Sequence, residues 1–164
     1  MTQWFLIAAI LLLGAAAVQS APAMPRVRSH DPRIVDAIAR GTAASPTLRR
    51  LIDTIDATDG IVYVDDGKCG YIVRACLLPL VQIAGPSRLL RIQVNLREAA
   101  GCELIEVIGH ELQHATELLA DPRIRSDIQA YNFFLGGRLR PEARRFETKA
   151  AEEIAVAVGR EACR

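Results

Sequence analysis

The run His110-Glu111-Leu112-Gln113-His114 holds the side chains whose types and spacing can do chemistry. Two histidines four apart on a helix lie on one face, one turn apart, so both imidazoles can reach a single metal ion. Glu111 follows His110 by about 100° around the helix axis and borders the same cleft. A carboxylate there is poorly placed to join the histidines as a ligand, but it can take a proton from metal-bound water. The chemistry this pattern points to is metal-assisted hydrolysis. By chance, H-E-x-x-H is expected on the order of 0.003 times in a chain of this length and composition. The context agrees: Val107-Ile108-Gly109, Leu112-Gln113 and Ala115-Thr116 are uncharged, and two of the 3 histidines are spent on the motif. The competing reading is a helix with two histidines on its surface or packed in a core.

The elements that must hold these residues are marked by period and punctuation. Asp31-Pro32 is an N-cap followed by Pro at the first helical position, which predicts a helix to about Arg40, closed by Gly41. Ser45-Pro46 repeats the signature and opens a second helix, apolar at Leu48, Leu51, Ile52 and Ile55, ending by Gly60. Residues 61–64, 71–75 and 90–96 then read as strands, with Asp66-Gly67 as a turn between the first two. Short connections favour an antiparallel meander, and residues 78–87 have room for another extended piece. Glu103 to about Leu119 is helical and carries the motif. Ser126 caps a shorter helix ended by Gly136-Gly137, and Pro141 opens a last one to about Arg160. The expected class is α+β: a small antiparallel sheet, the H-E-x-x-H helix, and a packed C-terminal helix. Residues 31–164 form one domain, preceded by a flexible lead-in over 21–30.

Residues 4–18 form an unbroken apolar run, short for a bilayer span of about 20 residues but suited to a signal-peptide core. Residues 1–20 are expected to be a cleaved signal peptide, with a later cut possible after Ala23. An uncleaved N-terminal anchor is the alternative. The whole-chain apolar share of 51% therefore overstates the rest of the chain, which is nearer roughly 48%. Export to a periplasmic or extracellular space makes pairing the default for Cys69, Cys76, Cys102 and Cys163. Of three possible connectivities, Cys69–Cys76 with Cys102–Cys163 is favoured. The balance of 20 basic against 19 acidic residues argues against nucleic acid as a partner. Nothing beyond the N-terminal segment points to a membrane, and the oligomeric state is open.

Around its motif the chain resembles the zincin metallopeptidases, and within them the gluzincin type, whose third zinc ligand is a glutamate on a later helix. The resemblance is carried by residues 107–116 and extends to the sheet-then-helix order. The metzincin branch does not fit, because its Gly and His positions hold Glu117 and Ala120. The resemblance implies Zn2+ held by His110, His114 and a downstream Glu, with Glu111 as general base and a peptide or protein as substrate. Glu147, in Phe146-Glu147-Thr148 before a run of small residues, is the first choice for third ligand, with Glu153 and Glu152 as rivals. If Cys102 bonds Cys163, a helical rise of ~1.5 Å per residue puts His110 and His114 roughly 12 and 18 Å from the bridge. The same rise puts Glu153 about 15 Å and Glu147 about 24 Å away, and so favours Glu153. Glu117 shares the histidine stripe but sits roughly 10.5 Å along the axis from His110, which suits a supporting or surface role. Tyr131 is a candidate oxyanion donor, with a core tyrosine as its competing reading. The strand over 88–96 could pair with an extended substrate, but an ordinary sheet strand is preferred.

The expected function is a secreted or periplasmic zinc-dependent peptidase. The alternative is a non-catalytic exported metal-binding or interaction module that keeps the zincin-like fold.

Overall fold

The computed structural model describes residues 24–70, 73–138 and 147–163. The expected signal peptide and its cleavage sites lie outside these residues. Two capped helices open the fold. Asp31 accepts the Arg33 N–H at 2.8 Å ahead of α1 (Pro32–Ala44), and Ser45 Oγ accepts the Leu48 N–H at 3.0 Å ahead of α2 (Pro46–Asp56). Helix α1 runs through Gly41 instead of stopping there. A Cβ on Gly41 would lie 2.6 Å from Leu48 and 2.7 Å from Ile105, so this glycine marks a close approach between helices.

Five strands follow the order β1-β2-β5-β3, with β4 also paired to β5: β1 (Val27–Arg28), β2 (Gly60–Asp66), β3 (Ala75–Leu77), β4 (Gln82–Ala84) and β5 (Ser87–Val94). Part of the expected lead-in is thus a strand. The sheet is mixed, not the antiparallel meander expected from short connections. Strands β1 and β5 both run parallel to β2, with Val62 opposite Leu90 and Val64 opposite Ile92. Strands β3 and β4 are antiparallel to β5. A parallel pair needs a connection of a dozen or more residues. Residues 67–86 supply it, so Asp66-Gly67 does not fold β2 back onto its successor. The second strand also begins later than expected, at Ala75, and residues 71–72 lie outside the described ones. Between β4 and β5, Gly85 (φ +58°) and Pro86 make a two-residue turn where the positive φ requires glycine. Strand β5 is central, covered on both sides by partners, so it is an ordinary sheet strand with no edge for a substrate.

Alternation along β2 and β5 sends Val62, Val64, Leu90, Ile92 and Val94 into the core, against α3 (Gly101–Leu119). Arg88 takes the first inward position of β5 and is 1% exposed. Its guanidinium pairs with Asp59 at 2.6 Å and donates to the carbonyls of Leu119, Asp121 and Ile124. It thereby satisfies carbonyls at and beyond the end of α3. Helix α3 packs against the sheet, α1, α2 and α5 (Lys149–Ala162), and buries residues nearly all round its axis.

Helix α4 (Asp127–Arg138) continues through Gly136 and Gly137, the expected stop. The last helix starts at Lys149 with Thr148 as its N-cap, later than the expected Pro141; residues 139–146 lie outside the described ones. Glu161 near the end of α5 accepts from Ser45 Oγ at 2.6 Å and from Thr47 N at 2.9 Å, tying α5 to the start of α2. Disulfides join Cys69 with Cys76 and Cys102 with Cys163. They suit an oxidising compartment. No helix among the described residues is long and apolar enough to cross a membrane.

Candidate metal centre

Helix α3 presents His110 and His114 from one face, their Nε2 atoms 3.2 Å apart and their rings at 78°. Glu147 arrives from the other end of the chain. Its Oε1 lies 3.0 Å from His110 Nε2 and 3.7 Å from His114 Nε2. Bonds of ~2.0–2.1 Å in a tetrahedral zinc site hold donor atoms ~3.3–3.4 Å apart. The observed triangle brackets that spacing. Glu147 Oε1 is buried and makes no well-angled hydrogen bond, although two imidazole nitrogens face it. A cation at the centre of the triangle would satisfy all three atoms. Among the described residues, these three form the group whose donors could hold a metal ion.

The rivals to Glu147 are not in this group. Glu153 is exposed on α5 and pairs with Lys149 at 3.3 Å, and Glu152 is exposed beside it. The distance argument for Glu153 treated Glu147 as a helical residue. In fact Thr148 is extended (φ −120°, ψ 146°), and Glu147 precedes the helix altogether. The register is set by Cys102–Cys163: Cys102 to Glu117 is 117 − 102 = 15 residues and Thr148 to Cys163 is 163 − 148 = 15, about 22 Å along each axis. Thr148 therefore sits opposite Glu117, and the chain ahead of the cap turns back to bring Glu147 over the histidines.

The electrostatics are those of a partly dry site. Glu111 is buried; its Oε2 accepts the Leu77 N–H at 2.6 Å, and desolvation raises its pKa despite the nearby histidines. Burial alone would lower the pKa of His114, but the carboxylates of Glu117, Glu147 and Glu111 outweigh it and raise it to about 9. Burial opposes ionisation of Glu147, yet its two histidine neighbours bring its pKa down to about 2. The metal-free site thus holds an imidazolium–carboxylate pair where the cation would sit. Glu117 lies against the far side of His114, Oε2 to Nδ1 3.5 Å, while its Oε1 accepts from Thr148 Oγ1 at 2.9 Å and Gln113 Nε2 at 3.2 Å.

His110, Glu111, His114 and Glu147 line a cleft of about 1200 Å³ whose walls combine apolar residues such as Val73, Leu78, Pro79, Val107 and Phe134 with Arg74 and Glu98. Phe134 meets His114 edge-on at 5.9 Å between centroids. Cys69 and Cys76 also line it, so the short disulfide is part of the wall. Tyr131 is 47% exposed on α4 and is not among the cleft's lining residues, so it is neither the core tyrosine nor placed as an oxyanion donor. Sequence reasoning missed Leu77, Thr148 and Phe134. Thr148 carried a signal, because a Thr directly ahead of the helix-forming run Lys149-Ala150-Ala151-Glu152 is an N-cap pattern. No protein-family model, curated protein or solved structure matches the chain.

Proposed function

We propose that this protein is an exported zinc-dependent peptidase of gluzincin type, acting in a periplasmic or extracellular space. The observation that carries the reading is the convergence of His110 Nε2, His114 Nε2 and Glu147 Oε1 beside the buried carboxylate of Glu111, at the floor of one cleft. A zinc ion held by those three residues would polarise a peptide carbonyl and lower the pKa of a water molecule towards 7. Glu111 is the proton carrier. Leu77 holds its Oε2 in place, so Oε1 takes the proton and returns it to the leaving amine. Burial raises the affinity of Glu111 for that proton, which suits a base that must also act as an acid.

The substrate side is supported by β3. The Leu78 N–H bonds Arg91 O and the Asn95 N–H bonds Arg74 O, so the backbone of residues 74 and 78 serves β5, and residues 75 and 77 face the cleft. An extended peptide would meet that edge.

The test is zinc stoichiometry together with hydrolysis of a broad peptide library. Wild type should bind one zinc and cleave. Glu111→Gln should keep the zinc and lose about 10²–10⁴-fold in rate. Glu147→Ala should lose the zinc, and Glu153→Ala should keep it. Zinc binding with no hydrolysis above the Glu111→Gln background would leave a non-catalytic metal-binding module as the function.

A further inference from the structure

The metal site takes two ligands from α3 and one from the segment ahead of α5, and one carboxylate touches the neighbours of both. We infer that Glu117 is a positioning residue that locks the two halves of the site together through Thr148. The inference rests on the metal-binding reading above. Glu117 is 7% exposed at its side chain and uses its two oxygens on different tasks. Oε2 faces His114 Nδ1 at 3.5 Å, and that buried ring nitrogen has no other hydrogen-bond partner among the described residues, so a small closure in the metal-bound state would let Nδ1–H donate to Oε2 and leave the Nε2 lone pair for the metal. Oε1 accepts the Thr148 hydroxyl at 2.9 Å. That hydroxyl in turn accepts the Ala151 N–H at 3.1 Å, so it is also the N-cap of α5. Glu147 is the next residue upstream. The path Glu117–Thr148–Glu147 therefore carries the position of α3 directly to the third ligand. The 15-residue register from Cys102–Cys163 is what makes the two residues meet.

The chemistry of the contact separates this role from simple packing. Replacing Glu117 with Gln keeps the volume, and the amide oxygen can still accept from Thr148 and Gln113. The amide nitrogen then faces His114 Nδ1 and donates to it, which moves the ring proton to Nε2, on the metal side. Gln should therefore be as damaging as Ala, contrary to what size conservation predicts. Thr148→Ser keeps the hydroxyl, whereas Thr148→Val removes it at nearly constant volume.

The experiment measures zinc Kd by chelator competition on the full chain with both disulfides intact, and records the visible spectrum of the Co2+-substituted protein. Far-UV circular dichroism of the metal-free variants checks the fold. Glu117→Ala and Glu117→Gln should each weaken zinc by about 10–100-fold and change the Co2+ band intensities. Thr148→Val should weaken it to a smaller degree, and Thr148→Ser should restore wild-type affinity. Thr148→Val should cost less on a Glu117→Ala background than on wild type, because the two changes share one connection and only the lost α5 cap is additional. Wild-type zinc affinity in Glu117→Gln, or losses that multiply in the double variant, would overturn the inference. If the wild-type chain itself binds no zinc, the metal reading falls and this inference falls with it. Binding by wild type with unaffected variants overturns only the role of Glu117.

Discussion

The two ends of α5 are both fastened to α3, by opposite means. At the C-terminal end Cys163 is bonded covalently to Cys102, with Glu161 capping α2 alongside. At the N-terminal end there is no covalent tie. Thr148 and Glu147 reach Glu117, His110 and His114 through charge and hydrogen bonds alone. One end fixes where the helix lies. The other is left polar, partly exposed and held by groups that a cation or a proton can rearrange. On the metal-binding reading, the rigid end sets the register and the responsive end supplies the donors.

The largest expected effect comes from cutting the rigid end. Cys102 and Cys163 are 61 residues apart, and the chain-entropy model assigns a loop of that size about 4 kcal/mol. The Cys102→Ser/Cys163→Ser protein should lose about that much stability in denaturant unfolding without metal. It should also bind zinc more weakly, since the meeting of Thr148 with Glu117 depends on the register. Removing Cys69–Cys76, 7 residues apart, should cost less, about 2–3 kcal/mol, and act mainly on hydrolysis through the cleft wall. Equal effects of both pairs on zinc affinity would show that the long disulfide does not set the site.

The next effect isolates the responsive end, because cystine does not titrate. In the metal-free protein the pKa of His114 is about 9 against about 6.5 unfolded, so the folded state holds that proton more tightly. Its stabilisation is complete below about 6.5 and is lost as pH rises through about 9. Glu111, raised by burial, pulls the same way from about 4.5 upward. The carboxyl of Glu147, held at about 2, contributes above about 4.5 and is lost as pH falls towards 2. Stability of the metal-free protein should therefore peak near pH 4.5, fall with Glu111 above that, and fall further from about 6.5. Between 6.5 and 9 it should decline by up to about 1.4 kcal/mol per pH unit for the His114 proton. Saturating zinc should remove that decline, since the metal takes the place of the proton. Denaturant midpoints across pH 4–9, with chelator and with zinc, check both curves. A flat metal-free curve above 6.5 would mean that the pairing of His114 with Glu117 and Glu147 is absent in solution.

The same contrast explains what the sequence could reveal. Local chemistry was readable: H-E-x-x-H, the two Ser/Asp-Pro helix starts and the favoured cysteine pairing all appear where residue types dictate them. Glu147 was readable only by resemblance, because it lies ahead of the α5 cap, two residues before the helix begins. Distance counting along a helix favoured Glu153, which the structure leaves exposed and outside the donor group. The sheet misled for a related reason. Asp66-Gly67 has the composition of a hairpin turn, but the pairing of β2 with β5 is decided by the long connection between them. Arg88 gives no sign of burial in its own neighbourhood. Only the fold brings it Asp59 and three carbonyls. Interactions within a turn or a helix could be derived, and those between elements, the Cys102–Cys163 pairing apart, needed the structure.

The smallest effect is the most discriminating between packing and chemistry. Gly109 precedes His110 and faces α5, and a Cβ there would lie 3.0 Å from Val158 Cγ2 and 3.3 Å from two more of its atoms. Val158 is fully buried, so it has little room to retreat. Gly109→Ala gains about 1 kcal/mol of helix propensity and costs a similar amount in crowding, so the metal-free stability should change by less than about 1 kcal/mol. The covalent end of α5 resists displacement, since Val158 is only five residues from Cys163. The strain is relieved instead by tilting the helix about that anchor, which moves its free end. A tilt that shifts Val158 by a few tenths of an ångström moves Thr148, about three times farther from the anchor, by roughly 1 Å, and carries the adjoining Glu147 with it. That is enough to open the donor triangle. Gly109→Ala should therefore weaken zinc several-fold while leaving the metal-free unfolding midpoint nearly unchanged. If both quantities move together, the two ends of α5 are not mechanically distinct.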